Sequence, residues 1–220
     1  MQKFWKRMIA GLKTIGRMVF VDCRVDLFFV VIAMGLALLA THLSGLIMSA
    51  IGVEQNTRTD IAYLVPIFTL SSMLGIFAIR SRETFRQESI ARSGLFAVLL
   101  GLGLLASRSA WNGFNPTIFN LTVPGVLLLV SVCILAPLWE ELFFRGHIWT
   151  KLSRHGYTEG LILIATSLLY VLPHAPNSFA AFADYATIGL ALGAIRYFSG
   201  GLFLPVLFHV AMNSILIFRL

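Results

Sequence analysis

Charged side chains are scarce in this 220-residue chain, where Asp, Glu, Lys and Arg together make up only 12%. An average soluble domain carries about 25%. Hydrophobic residues make up 58% of the chain. A chain of this length cannot bury so much apolar surface in one aqueous core, because the buried fraction grows slowly with size. The composition excludes an ordinary water-soluble domain and predicts a protein embedded in lipid.

Sequence patterns for metal and nucleic-acid binding are also absent. The two cysteines, Cys23 and Cys133, are far apart and lack metal-type spacing, and no HExxH motif occurs. Lys and Arg outnumber Asp and Glu by 17 to 10. These basic residues flank apolar runs and form no separate basic domain, so we predict no nucleic-acid partner.

Seven apolar runs approach or reach the roughly 20 residues that cross a bilayer. They are Leu27 to about Ile51, Ile61 to Ile79, about Ile90 to Ala106, Val123 to beyond Glu140, about Gly160 to His174, Phe179 to Phe198, and Leu202 to Phe218. Gly189 and Gly193 form a GxxxG step in the sixth run, which favours close helix packing. The sequence predicts an all-α, polytopic bundle of about seven transmembrane helices.

The amino-terminal segment, residues 1–24, is basic and amphipathic. Its apolar residues share one helical face: Phe4, Trp5, Met8, Ile9, Leu12, Ile15 and Val19. Its basic residues share the other: Lys3, Lys6, Arg7, Lys13 and Arg17. This pattern suits a helix on an anionic membrane surface, with membrane lipid as partner. The alternative is a solvated basic tail that only fixes topology.

The distribution of basic residues predicts the orientation. With the amino terminus inside, every Lys and Arg except Arg58, Arg108 and Arg219 falls on an inner segment, as the positive-inside rule requires. We therefore divide the chain into a cytoplasmic segment (1–24), transmembrane helices 1–3 (25–122) and a catalytic transmembrane core of helices 4–7 (123–220). The small size and the absence of eukaryotic targeting signals favour a prokaryotic plasma (inner) membrane.

Ionisable side chains within the predicted spans concentrate in the second half of the chain. The set is Glu140, Glu141, Arg145, His174, Asp184 and His209, with His42 as an outlier in the first span. Such residues are costly inside a membrane and usually functional. Asp184 is interpreted either as a contact on the substrate side or as a packing residue. His42 is interpreted as a packing or interfacial residue.

The two adjacent glutamates have different expected surroundings. Glu141 and Arg145 are four residues apart, so they can pair on one helix face. Glu140 points about 100° away around the helix and can face a cavity, where a poorly solvated carboxylate suits a general base. The alternative is an interfacial helix end with a surface ion pair.

Two histidines can reach the same level in the membrane. Glu140 and His174 lie roughly 18 and 22 Å from the turn between the fourth and fifth spans, at 1.5 Å per residue. His209 and Asn213 share one face of the seventh span. The alternatives are an interfacial anchor for His174 and a helix-packing polar pair for His209 and Asn213.

The motifs resemble those of a known family. The run from Glu140 to Arg145 matches EExxxR, His174 ends a sequence similar to FxxxH, and the run from His209 to Asn213 matches HxxxN. Their order and spacing resemble the CPBP (Abi) family of intramembrane proteases, which includes type II CAAX prenyl endopeptidases and bacteriocin-processing or self-immunity proteins. The resemblance covers about residues 123–220. One departure is Tyr170, where the family usually has Phe, so a hydroxyl is added that can make a new hydrogen bond.

The resemblance implies hydrolysis of a peptide bond in a lipidated or membrane-anchored peptide or protein. By analogy, Glu140 activates water with the help of His174, and His209 and Asn213 stabilise the oxyanion. Glu141 and Arg145 would hold these groups in place. The resemblance favours a metal-free, glutamate-dependent mechanism. The alternative is a zinc site formed by Glu140, His174 and His209, a ligand set found in metalloproteases.

Two other functional classes remain open from the sequence. A non-proteolytic membrane binding or immunity protein would keep the fold and would tolerate Glu140→Gln. A small transporter subunit would use the same polar groups as a pathway. The three motifs together favour the enzyme, because binding alone does not require all of them.

Overall fold

The computed structural model describes residues 2–52, 69 and 123–218, and this part of the chain is helical, without β-strands. The helices are α1 (Gln2–Arg17), α2 (Arg24–Ala50), a composite α3 (residues 123–154), α4 (Glu159–Val171), α5 (Phe179–Ser199) and α6 (Phe203–Phe218). Apart from the single helical residue Thr69, the predicted second and third spans lie outside the described residues.

Three of the described helices are long and apolar enough to cross a membrane. They are Arg24–Ala50, Val126–Arg154 and Phe179–Ser199, with mean hydropathies of 2.2, 2.0 and 1.2. Glu159–His174 and Phe203–Ile215 are shorter apolar helices. The all-α, membrane-type fold is therefore confirmed, whereas the predicted count of seven spans is not. Large apolar side chains such as Phe28 and Leu38 are 66% and 68% exposed on α2, as expected for a lipid-facing surface.

The helix α3 alternates between α-helical and π-helical stretches. Its α-helical stretches are Val123–Val130, Ala136–Glu141 and Trp149–Arg154, and its π-helical stretches are Ser131–Leu135 and Leu142–Ile148. Pro137, which has no backbone N–H to donate, is the second residue of the middle α-helical stretch. π-Helical turns often occur at functional sites, and here they flank the segment that carries Glu140 and Glu141.

A short connection after α4 fixes the position of His174. The helix continues into a 3-10 turn, Leu172–His174, and Ala175 then adopts the left-handed conformation with φ 41°. The next helix, α5, begins where the Ser178 hydroxyl accepts a hydrogen bond from the Ala181 N–H at 3.1 Å, a normal N-cap. His174 therefore lies at the last turn of a helix that ends abruptly.

The helices α4 and α5 pack closely because α5 presents glycine to α4. A Cβ added at Gly189 would lie 3.0 Å from the backbone oxygen of Ser167. A Cβ at Gly193 would lie 3.2 Å from the side chain of Leu163. The predicted packing role of this GxxxG step is confirmed, and the backbone of α5 is thereby held near the centre of the bundle.

A charged cluster ties α2 to the end of α3. Asp26 is 2% exposed, with its Oδ1 2.9 Å from His147 Nε2 and its Oδ2 2.5 Å from Lys151 Nζ. Just before α2, the Tyr157 hydroxyl donates a hydrogen bond to the Asp22 carboxylate. We call Asp26, His147 and Lys151 the Asp26 tie. The helix α2 begins at Arg24, before the predicted start at Leu27.

The segment before α2 forms the predicted amino-terminal helix. Large apolar side chains of α1 remain exposed, with Trp5, Ile9 and Leu12 at 52%, 48% and 60%. Cys23, between α1 and α2, is fully buried, and this burial raises the pKa of its thiol to about 12. The location of α1 on a membrane surface stays a prediction.

Candidate active site

The buried ion pair predicted from the EExxxR motif is present. Arg145 Nη1 donates to Glu141 Oε1 at 3.0 Å, and both side chains are fully buried. Arg145 Nη2 also donates to the Gly189 carbonyl of α5 at 2.8 Å, and the guanidinium lies 4.7 Å from the centre of the Tyr170 ring. Arg145 thus links α3 to both α4 and α5, while Glu141 neutralises its charge.

His209 brings α6 into the same cluster. It is 2% exposed, and its Nδ1 lies 3.0 Å from Glu141 Oε1. A carboxylate can only accept a hydrogen bond, so Nδ1 carries the hydrogen and donates this bond to Glu141. In the neutral ring this leaves Nε2 unprotonated, and Nε2 lies 3.4 Å from the Tyr170 hydroxyl and 3.8 Å from Glu140 Oε2.

Glu140 differs from Glu141 in its bonding. Oε2 of both glutamates is buried without a hydrogen-bond partner among the described residues, but Glu141 Oε1 is bonded to Arg145 and His209. The Glu140 side chain is also 15% exposed, whereas that of Glu141 is fully buried. The site contains two carboxylates and one guanidinium, so with neutral imidazoles its net charge is −1.

His174 approaches the cluster through aromatic rings. Its centre lies 4.7 Å from that of Tyr170 and 4.2 Å from that of Tyr185. Its Nδ1 lies 2.9 Å from the Tyr170 carbonyl. A carbonyl accepts only, so Nδ1 donates, and Nε2 of the neutral ring is left to accept a proton. The Tyr170 ring also lies 6.0 Å from the His209 ring, so both histidines flank the same tyrosine.

Asn213 makes a backbone contact that the sequence did not predict. Its Nδ2 donates to the Val132 carbonyl at 2.9 Å. In a π-helical register that carbonyl would accept from the residue five positions later, and Pro137 has no N–H to donate. Asn213 therefore donates a hydrogen bond to a carbonyl of α3, and its second amide hydrogen remains available to donate another one. Its predicted oxyanion role stays a prediction.

The structure brings together most of the predicted site residues. Glu140, Glu141, Arg145 and His209 are in direct or near contact, and His174 joins them through Tyr170. The Tyr170 hydroxyl, noted from the sequence only as a departure, contacts His209. The sequence shows a Tyr at position 170, but its contact with His209 could not be predicted from the sequence.

The remaining intramembrane ionisable residues are outside this cluster. Asp184 is half-buried and forms no hydrogen bond with another described residue. His42 is exposed on α2, which agrees with its interpretation as an interfacial residue.

The donor set does not fit a zinc site as arranged. No group of three His, Cys, Asp or Glu side chains within residues 2–52 and 123–218 is placed to hold a metal ion. The Nδ1 of His209 is bonded to Glu141, and the Nδ1 of His174 is bonded to a carbonyl. We therefore derive no step through a metal.

Comparison with known proteins gives the family of the part that carries the site. Residues 122–215 match the family described as type II CAAX prenyl endopeptidase Rce1-like. An uncharacterized 24.3 kDa protein of Escherichia coli is 38% identical over 97 residues, which cover 43% of this chain and 45% of that relative. The chain thus matches less than half the length of that relative. No solved structure matches the chain. Residues 122–215, which contain all six predicted site residues, are therefore similar to the Rce1-like type II CAAX prenyl endopeptidase family.

Proposed function

We propose that this protein is an intramembrane endopeptidase that uses Glu140 to activate water. The observation that carries the proposal is the state of Glu140 Oε2, which is buried, lacks a hydrogen-bond partner among the described residues and lies 3.8 Å from His209 Nε2. A carboxylate oxygen that no protein group satisfies can accept a hydrogen bond from a reacting water. The family match supports peptide-bond hydrolysis as the reaction.

The reaction takes two proton transfers. Water oxygen attacks the scissile carbonyl carbon while one water proton moves to Glu140, and His174 Nε2 accepts a hydrogen bond from the same water. The carbonyl oxygen becomes an oxyanion. The C–N bond then breaks, and Glu140 returns its proton to the leaving amine. The products are a new carboxyl end and a new amino end, so atoms and charge balance.

The other site residues stabilise the oxyanion and hold its donors. His209 donates to the oxyanion from Nε2 in the form of the ring that carries a hydrogen on both nitrogens, while Glu141 accepts the hydrogen bond from its Nδ1. The second amide hydrogen of Asn213 is the other donor. Preorganised donors of this kind contribute a few kcal/mol to the transition state. Arg145 acts through Glu141 and fixes the orientation of His209.

The substrate class follows from the location of the site and from the family. The site lies among helices that are apolar enough for lipid, and the family description names a prenyl endopeptidase. We propose a lipidated or membrane-anchored peptide or protein as the substrate. We also propose a prokaryotic plasma membrane, with the amino terminus in the cytoplasm, because this orientation places nearly all basic residues inside.

The test is cleavage of a membrane-anchored or prenylated peptide library by the purified full chain in lipid nanodiscs. Run in ¹⁸O-water, the reaction should place ¹⁸O in the new carboxyl end, with no loss of rate on adding a chelator. Glu140→Gln and His174→Gln should abolish cleavage. His155→Gln is the matched control, because His155 is exposed and bonds only to the Lys151 carbonyl among the described residues.

Each alternative gives a different result. Chelator inhibition that added zinc reverses would replace the metal-free mechanism. Full biological function of Glu140→Gln would support a binding or immunity protein, and substrate-coupled flux without cleavage would support a transporter subunit.

A further inference from the structure

An open cavity lies at the end of α3, away from the catalytic cluster. Its volume is about 280 Å³, whereas one water needs only about 10–15 Å³ by the same kind of measure. The lining residues come from the end of α3, the start of α4 and the end of α5: Trp149, Thr150, Ser153, Arg154, Glu159, Arg196, Tyr197 and Gly200. We call this cavity the interfacial pocket.

The pocket is separate from the proposed catalytic groups. Trp149 and Arg154 follow Glu141 along α3 by about 12 and 20 Å, at 1.5 Å per residue. The pocket contains none of the six predicted site residues. Its contact with the site is indirect, because Arg196 Nε donates to the Arg145 carbonyl at 3.2 Å.

The length of α3 places the pocket at the level of lipid headgroups. The apolar helix Val126–Arg154 has 29 residues, which is about 43 Å of helix. The hydrocarbon core of a bilayer is about 30 Å thick, and headgroups bring the total to about 40–45 Å. The last turns of α3 therefore extend beyond the hydrocarbon. Trp149 and Tyr197 are residue types that are enriched at this level.

The charges in the pocket have both signs. Arg154 and Glu159 are exposed, and neither forms a hydrogen bond or ion pair with another described residue. Arg196 is held in place by the Arg145 carbonyl, and its guanidinium lies 5.6 Å from the centre of the Trp149 ring. One fixed cation, one exposed cation and one carboxylate thus line the same cavity.

This charge pattern selects among ligands. A simple anion would be attracted by the two arginines but repelled by Glu159. A ligand with a phosphate and an ammonium group satisfies both signs, since arginine binds phosphate well and Glu159 accepts from an ammonium. We propose that the interfacial pocket binds the headgroup of a phospholipid that carries both a phosphate and a primary amine, the chemistry of phosphatidylethanolamine.

Binding is tested with the purified full chain in detergent micelles by native mass spectrometry. The probes are dihexanoyl phosphatidylethanolamine, dihexanoyl phosphatidylglycerol, O-phosphoethanolamine and inorganic phosphate. We expect the phosphatidylethanolamine to bind at least about tenfold more tightly than each of the others, and tenfold corresponds to about 1.4 kcal/mol. Equal binding of the two lipids would overturn the selection for an amine. Equal binding of O-phosphoethanolamine and dihexanoyl phosphatidylethanolamine would overturn the proposal that the ligand is a lipid.

Variants at exposed positions separate the roles of the two charges without disturbing the core. Arg154→Gln should weaken binding of both lipids, whereas Glu159→Gln should weaken the phosphatidylethanolamine alone and remove its advantage. Arg24→Gln is the matched control, because it removes an exposed arginine at the start of α2 that does not line the pocket. Unchanged lipid binding in both pocket variants would overturn the proposal, independently of whether the protein cleaves peptides.

Discussion

Two clusters of buried charge lie along α3, and they differ in how fully their polar atoms are satisfied. In the Asp26 tie, near the end of the helix, one carboxylate oxygen contacts His147 and the other contacts Lys151. In the central cluster, three buried polar atoms have no hydrogen-bond partner among the described residues: Glu140 Oε2, Glu141 Oε2 and Arg145 Nε. Both clusters combine a carboxylate, a histidine and a cation, so residue types alone do not distinguish them.

With Glu140 as the proposed general base, the difference separates a structural cluster from the proposed reactive one. Buried polar groups are normally satisfied, and each unsatisfied group costs about 1–3 kcal/mol. The Asp26 tie avoids that cost and holds α2 against α3. In the central cluster, carboxylate oxygens lack a hydrogen-bond partner among the described residues, so they remain available to accept hydrogen bonds from a water and a substrate. Mutations should therefore affect stability in one cluster and reaction rate in the other.

The largest expected effect on stability comes from the fully buried pair of the central cluster. Arg145→Gln removes the guanidinium that pairs with Glu141 and leaves this buried carboxylate with only the hydrogen bond from His209, so we expect a loss of about 3–5 kcal/mol in the free energy of unfolding, measured by denaturant titration in micelles. The double change Glu141→Gln, Arg145→Gln should be less destabilising, because it removes both charges of the pair together. Lys151→Gln is the matched change in the Asp26 tie, and it should cost about 1 kcal/mol or less, since Lys151 is 28% exposed. Equal losses for Arg145→Gln and Lys151→Gln would contradict this ranking.

The Asp26 tie should respond through stability and local exposure. Asp26→Asn should lower the free energy of unfolding by about 2 kcal/mol, because it weakens two hydrogen bonds to charged groups. Cys23 reports on this region, since its buried thiol has a pKa of about 12 and should resist maleimide below that pH. In a Cys133→Ser background, Asp26→Asn should speed the labelling of Cys23. Unchanged labelling would mean that the tie does not hold this junction closed.

A smaller effect is expected at the Tyr170 hydroxyl. Tyr170→Phe installs the residue that is usual in the family and removes a 3.4 Å contact with His209 Nε2. A net hydrogen bond is worth about 0.5–1.5 kcal/mol, so we expect the cleavage rate to fall about three- to tenfold with folding preserved. Tyr157→Phe, at the turn after α3, is the control for hydroxyl removal and should leave the rate unchanged. A loss of more than a hundredfold for Tyr170→Phe would make the hydroxyl itself catalytic.

The smallest effect is a dependence of stability on alkaline pH. The hydrogen bond that Tyr157 donates to Asp22 raises the pKa of Tyr157 in the folded protein above its usual value. The resulting stabilisation is fully present below the unfolded pKa of about 10 and is lost as the pH rises through the folded pKa. Melting temperatures of the wild-type protein should therefore fall more steeply above pH 10 than those of Tyr157→Phe. Parallel curves would show that this bond contributes nothing.

Local features of the sequence predicted much of the second half. The lengths of the apolar runs and the turn after Arg154 predicted ends for α3 to α6 that lie close to the observed ones. The reason is that each helix is bounded by glycine, proline or polar residues. The spacing of Glu141 and Arg145 predicted their pair, even though Arg145 lies in a π-helical stretch. These features depend on neighbours within one or two helical turns, which a sequence shows directly.

Long-range contacts were not predictable in the same way. The Asp26 tie joins residues more than a hundred positions apart, and no local pattern around His147 predicts its contact with Asp26. The bond from Asn213 to the Val132 carbonyl depends on a π-helical register that Pro137 alone does not specify. The Tyr170 hydroxyl was visible as a departure, but only the packing of α6 against α3 and α5 places His209 beside it.

The most direct measurement compares two carboxyl-to-amide changes, Glu140→Gln and Asp26→Asn, for cleavage rate and melting temperature in the same nanodisc preparation. We expect Glu140→Gln to lower the cleavage rate by about 10²–10⁴-fold, the range for loss of a general base, with no decrease in melting temperature. Asp26→Asn should lower the melting temperature and retain cleavage below it. Retained cleavage in Glu140→Gln, or equal loss of cleavage in both variants while both remain folded, would contradict the assignment of Glu140 as the reactive carboxylate.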